Sequence, residues 1–132
     1  MWKLHFDGGS RGNPGPAAYG FVLVDPTGVE VARVGEVVGR TTNNVAEYTG
    51  LVRGLERALE VGVDQLEVFG DSELIIKQVM GKYKVKSPQL QPLHAQADLL
   101  KRRFRKFRIS HVYRAGNSIA DGLVNEALDA AR

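Results

Sequence analysis

Four acids in this chain, Asp7, Glu47, Asp71 and Asp121, stand at the ends or starts of predicted elements. Asp7 closes the alternation "WKLHFD", in which Trp2, Leu4 and Phe6 share one side and Lys3, His5 and Asp7 the other. Glu47 falls in the first turn of a helical pattern, Asp71 between a strand and a helix, and Asp121 near the start of the last helix. Carboxylates brought together repel one another unless a cation joins them. Hard oxygen ligands, with no Cys in the chain and no paired His, favour Mg²⁺ or Mn²⁺ over zinc. Two such ions about 3.5–4 Å apart are a recurrent device for hydrolysing phosphodiesters, one activating water and the other steadying the leaving oxygen.

Each acid also has an ordinary reading. Glu47 follows Asn44, and Asp121 follows Ser118, at the spacing of a capping box. Asp71 has the place of a helix cap, and Asp7 that of an exposed strand residue. Glu47, however, shares a helix face with Gly50, Leu51, Gly54 and Ala58. Two glycines on that face point to close packing on a sheet, with the carboxylate lying along the sheet surface.

The elements that must position these acids follow from hydrophobic period and turn residues. "WKLHFD", "AAYGFVLVD" and "VEVARVGEVV" read as three strands of an antiparallel meander, the last two joined at Asp25–Gly28. "NNVAEYTGLVRGLERALEVG" has Tyr48, Leu51, Val52, Leu55 and Leu59 at helical spacing and stops at Gly62. "QLEVFG" is a strand, "SELIIKQVMG" a short helix and "PQLQPLHAQADLLKRRF" a longer one. "RISHVYR" is a strand ending at Arg114, and "SIADGLVNEALDAAR" closes as a helix. This order predicts an α/β fold with a five-stranded mixed sheet, three antiparallel strands then two parallel, and helices packed on it. A right-handed crossover would make the strands ending near Asp7 and Asp71 neighbours, with Glu47's helix turn above them.

Between the first two strands lies "DGGSRGNPGPAAYG", residues 7–20. A phosphate-cradling dinucleotide loop would have to open a helix directly after its last glycine. Here Pro14 and Pro16 intervene and a β-rich run follows, so the stretch joins two strands.

Length bounds the chain, residues 1–132, to a single expected domain able to bury a core. No apolar run reaches transmembrane length, and "MWKLHFDGG" lacks the form of a signal peptide. With no Cys, a cytoplasmic location is expected and a membrane partner is not. Net charge is only +3, yet six of the 18 basic residues lie in "KRRFRKFR" (101–108), and Lys77, Lys82, Lys84 and Lys86 cluster upstream. Such clustering suits a polyanionic partner. The 101–108 run is expected either to grip phosphates or to be a solvated helix end.

"DGGSRGNPGPAAYG", "TTNNVAEY", "GDSELIIKQV" and "RAGNSIAD" together resemble the four successive motifs of the type 1 ribonuclease H family, in its order and spacing, from Trp2 to Ala127. The resemblance implies the ribonuclease H fold, with helices on both faces of the sheet. It implies two divalent ions, Mg²⁺ or Mn²⁺, held by Asp7, Glu47, Asp71 and Asp121. It implies cleavage of the RNA strand of an RNA–DNA hybrid to a 3′-hydroxyl and a 5′-phosphate, by a chain expected to be monomeric. In this family the Gly-rich turn lies in the RNA minor groove, so Gly9, Ser10 and Asn13 would sit near 2′-hydroxyls. Thr42, Asn43 and Asn44 resemble the family's contacts on bases and on the DNA phosphate.

Three departures from the family pattern stand out. Arg114 occupies the place of a loop His that assists product release in bacterial members, while His111 lies earlier, inside a strand. "GKYKVKSPQ" is too short for the basic protrusion that some members use to grip the hybrid. Glu73 stands where many members have Gln, adding a negative charge beside the RNA groove. Arg114 is expected to clamp the scissile phosphate, against a plain alternative of a salt bridge to Glu126. Two other readings stay open: a non-catalytic nucleic-acid-binding domain, and a nuclease that also cuts double-stranded RNA through the shared shallow minor groove.

Overall fold

Alternation of Leu4 and Phe6 with polar neighbours makes β1 (Trp2–Ser10) a strand with one apolar face, as anticipated. In the computed structural model, which describes residues 1–131, β1 is followed by β2 (Gly15–Val24) and β3 (Glu30–Thr41). Then come α1 (Asn43–Val61), β4 (Gln65–Gly70), α2 (Glu73–Val79), α3 (Gln91–Lys101), β5 (Lys106–His111) and α4 (Ser118–Ala130). The sheet order is β3-β2-β1-β4-β5; the first three strands are antiparallel, and β4 and β5 run parallel to β1.

The two faces of β2 explain the layers. Tyr19, Phe21 and Leu23 point into the main core with Leu4, Phe6, Leu51 and Leu55, where α1, α2 and α3 cover the sheet. Ala18 and Gly20 alternate with them and face α4, packing with Val124 and Leu128. A Cβ at Gly20 would lie 2.8 Å from both Ala120 O and Leu123 Cβ, so the missing side chain sets how closely α4 approaches.

Local boundaries differ from the sequence expectation in three places. First, α3 ends at Lys101, not at Phe104. Lys101 closes α3, residues 102–105 form a turn and Lys106 already begins β5, so "KRRFRKFR" runs from the helix end through a turn into a strand. Phe104 is buried as expected, but from the turn, where it packs against Phe107. Second, β5 stops at His111, and Arg114 opens a short 3₁₀ turn (Arg114–Asn117) instead of closing a strand. Third, the caps shift: Thr42, Ser72 and Asn117 hold the N-cap positions of α1, α2 and α4. None of the four acids is a cap, which removes the ordinary reading for Glu47 and Asp71.

Candidate active site

The parallel register sets the site. Trp2 pairs with Leu66 and His5 with Phe69, an offset of 64 residues. The same offset carried past the end of β4 sets Asp7 opposite Asp71. Glu47 arrives from α1, whose first turn drops onto β1 at Gly8. A Cβ at Gly8 would lie 2.3 Å from the backbone carbon of Ala46, so only glycine admits this approach. Ligand oxygens of Asp7, Glu47 and Asp71 consequently lie within 4.8 Å of one another. Asp121, from α4, lines the same cleft of about 400 Å³ but stands outside that group of three. Its charge still raises the Asp7 carboxyl.

Burial and repulsion dominate the electrostatics. Asp7 is pushed up to about 7, first by loss of hydration and then by the charge of Asp71. Glu47 is held well above the usual carboxylate range, again mainly by burial and then by Asp7 and Asp71. Glu47 Oε2 is buried without a hydrogen-bond partner. An orphaned carboxylate oxygen beside two further carboxylates makes a set of hard oxygen donors, and these residues fit a divalent ion. Arg114 is exposed, lines the same cleft, and its charge counteracts the upward shift of Glu47. No ion pair joins it to Glu126 among the described residues.

The Gly-rich turn is tied to the start of α1. Asn43 Oδ1 accepts from Ser10 N at 2.8 Å and Ser10 Oγ at 3.0 Å, and Asn13 Oδ1 accepts from Asn43 N at 3.1 Å. Gly9, Ser10 and Asn43 line the cleft, so the acids continue into this turn. Asn13, Thr42, Asn44 and Glu73 lie outside the lining. Thr42 Oγ1 is engaged as the α1 cap, accepting from Val45 N at 3.3 Å. Glu73 lies exposed on the first turn of α2, where the Lys77 ammonium at 2.6 Å holds its carboxyl below the usual range. The extra negative charge is therefore answered within its own helix.

Asn117 was missed by the sequence reading. Buried, it donates from Nδ2 to Phe6 O at 2.9 Å, and its Oδ1 lies 3.3 Å from His5 Nδ1. It stitches the strand of Asp7 to the turn of Arg114 and the helix of Asp121. The available signal was an Asn directly before a helix start, the commonest cap position; here the side chain turns inward to the strand. Arg11 and Asn125 also line the cleft and had no distinguishing signal.

The basic run does not reach this site. Lys106 pairs with Gln65 at the start of the parallel strands, whereas the acids lie at their far ends, roughly 16 Å along β5. Arg102 pairs with Asp98, Arg105 with Asp64 and Arg108 with Glu67.

Carboxylates at the C-terminal edge of a sheet in this order define a ribonuclease H-like fold. Residues 5–127 match the family model described as reverse transcriptase-like. The crystal structure of RNase H1 from the halophilic archaeon Halobacterium salinarum superposes with a TM-score of 0.94, at 47% identity, covering 98% of both chains. LC11-RNase H1, solved in complex with an RNA/DNA hybrid, gives a TM-score of 0.94 at 43% identity, covering 99% of both chains. The curated ribonuclease HI of Halobacterium salinarum is 49% identical over 127 residues, 96% of this chain. A bifunctional protein of Mycobacterium tuberculosis is 48% identical over 130 residues, 97% of this chain. The chain belongs to the type 1 ribonuclease H family. It spans 64% of the archaeal relative's length and 35% of the mycobacterial one's.

Proposed function

We propose that this chain is a metal-dependent endoribonuclease, a single catalytic domain that cuts the RNA strand of RNA–DNA hybrids to a 3′-hydroxyl and a 5′-phosphate. The observation that carries this reading is the group of buried Asp7 and Glu47 with half-buried Asp71, whose Glu47 Oε2 lacks any partner and which opens onto the Gly-rich turn. A domain that only binds nucleic acid gains nothing from repelling carboxylates facing phosphate. The LC11 relative's hybrid complex supports the same substrate class.

Asp7, Glu47 and Asp71, with Asp121 in the same cleft, would hold two ions, Mg²⁺ or Mn²⁺. When bound, such ions supply an activated water and charge neutralisation at the phosphate. The chain's own residues do the rest. Arg114, with its planar fork of guanidinium donors, holds the phosphate electrostatically. Ser10, pinned by Asn43, would sit near a ribose 2′-hydroxyl, the group that distinguishes RNA from DNA.

Labelled hybrid, double-stranded RNA and double-stranded DNA, each with Mg²⁺, Mn²⁺ or EDTA, test this reading. Hybrid should be cut with metal and not in EDTA, and the DNA duplex should stay intact. Asp71→Asn should abolish cleavage while circular dichroism is unchanged. Near-normal turnover in that variant, or comparable cutting of duplex DNA, would overturn the assignment.

A further inference from the structure

The edge of the sheet that carries the acids extends one strand further. Gly70 pairs with His111, so the end of β5 lies beside the end of β4, with His111 one residue before the level of Asp7 and Asp71. The Ser10–Asn43 network flanks the acids on the β1 side. On the β5 side the flank is His111, Tyr113 and Arg114. Tyr113 is 83% exposed, more than any other large apolar side chain among the described residues. Isolated surface aromatics are ordinary, but this one is braced. The His111 ring meets it edge-on, with centroids 5.6 Å apart and planes at 73°. His111 Nε2 in turn lies 3.3 Å from the backbone oxygen of Asp71. The ring is thus propped against the backbone of a site acid and is followed directly by the cationic Arg114.

Aromatic rings bind nucleic acid by packing on the flat faces of bases and sugars, and a preset tyrosine loses little rotamer freedom in doing so. Two strand spacings separate β1 from β5, about 10 Å. That distance equals roughly three nucleotide rises along a strand. An RNA strand running along this sheet edge, with its scissile phosphate over the acids and one side on the Gly-rich turn, would leave across this flank.

We infer that Tyr113, propped by His111, is a substrate-binding shelf that packs against the sugar of an RNA-strand nucleotide about three positions from the cut. The inference rests on the hybrid-nuclease reading of the neighbouring acids. It concerns affinity and where the enzyme cuts relative to the end of a hybrid, not the chemical step.

Nested hybrids, shortened one base pair at a time from either end, test it with wild type, Tyr113→Ala and Tyr113→Phe. Wild type should show KM rising at least about fivefold when one flank is cut back past the third pair. Tyr113→Ala should have the raised KM on long hybrids already, ignore that shortening and keep its kcat. Tyr113→Phe should behave as wild type, because the ring and not the hydroxyl makes the contact. Fluorescence anisotropy in EDTA gives an independent reading, with Tyr113→Ala binding hybrid at least about fivefold more weakly. Equal KM and equal affinity in Tyr113→Ala, or the same length dependence as wild type, would overturn the shelf. Weakened binding by Tyr113→Ala, in a wild type that binds hybrid without cutting it, would instead sink the nuclease reading and leave the shelf standing.

Discussion

Asp7→Asn should make the metal-free protein more stable above neutral pH while removing activity. The Asp7 carboxyl sits at about 7 in the folded chain against an ordinary 3.8, because burial and the Asp71 charge both oppose its ionisation. Ionising it therefore costs the folded state on the order of 4 kcal/mol. The sign follows from proton counting. Between about pH 4 and pH 7 the folded chain holds a proton that the unfolded chain has released, so stability falls as pH rises through that window. Below it both states are protonated and the difference vanishes. Asparagine removes the charge but keeps a buried amide, so the net gain at pH 8 is about 1–2 kcal/mol, or roughly 3–8 °C in Tm for a chain of this size. Thermal melts in EDTA at pH 8 and pH 3.5 read this directly. The gap between variant and wild type should be present at pH 8 and closed at pH 3.5. Adding Mg²⁺ at pH 8 should raise Tm of the wild type more than that of the variant. A variant that melts at or below wild type at pH 8 in EDTA, or with the same gap at both pH values, would refute the reasoning.

Three further outcomes are expected. Gly8→Ala forces a Cβ into the Ala46 backbone and should cost about 1–3 kcal/mol of stability while moving Glu47 off the site; denaturant melts and a cleavage assay together check this, and retained activity would contradict it. Arg114→Ala should lower kcat at least about tenfold, near 1.4 kcal/mol of barrier, with Tm unchanged because the side chain is exposed and holds no ion pair to Glu126; an unaltered kcat ends the phosphate-clamp role. Neutralising Arg102 and Arg105 together should leave the salt slope of hybrid affinity unchanged, since both pair with their own acids at the far end of the sheet; a slope flattened by about one unit or more would put phosphate there after all.

Much of the site was legible in the sequence alone. Element order and the right-handed crossover predicted the strand neighbours, and the register then set Asp7 opposite Asp71 as expected. The two glycines on the Glu47 face announced close packing of α1 on the sheet. Other features were not legible, for stated reasons. Cap positions shifted by one or two residues because several neighbouring Thr, Ser and Asn side chains can each serve, and packing selects among them. "KRRFRKFR" misled because charge spacing alone does not tell a helix end from a turn running into a strand. Phe104 is buried under either reading.

The sequence by itself determined which elements form and which chemistries they carry, because hydrophobic period, turn residues and side-chain type are local properties. It also determined that no thiolate would serve any metal, since the chain has no Cys. Only the tertiary structure decided that three of the four acids close into one group, with Asp121 lining the same cleft outside it. It alone decided that Glu47 Oε2 is left without a partner, and that Asn117 bonds inward to Phe6 O. It also put the basic run at the wrong end of β5 for the site. These are distances between residues far apart in the chain, set by register and close packing, and no local pattern encodes them.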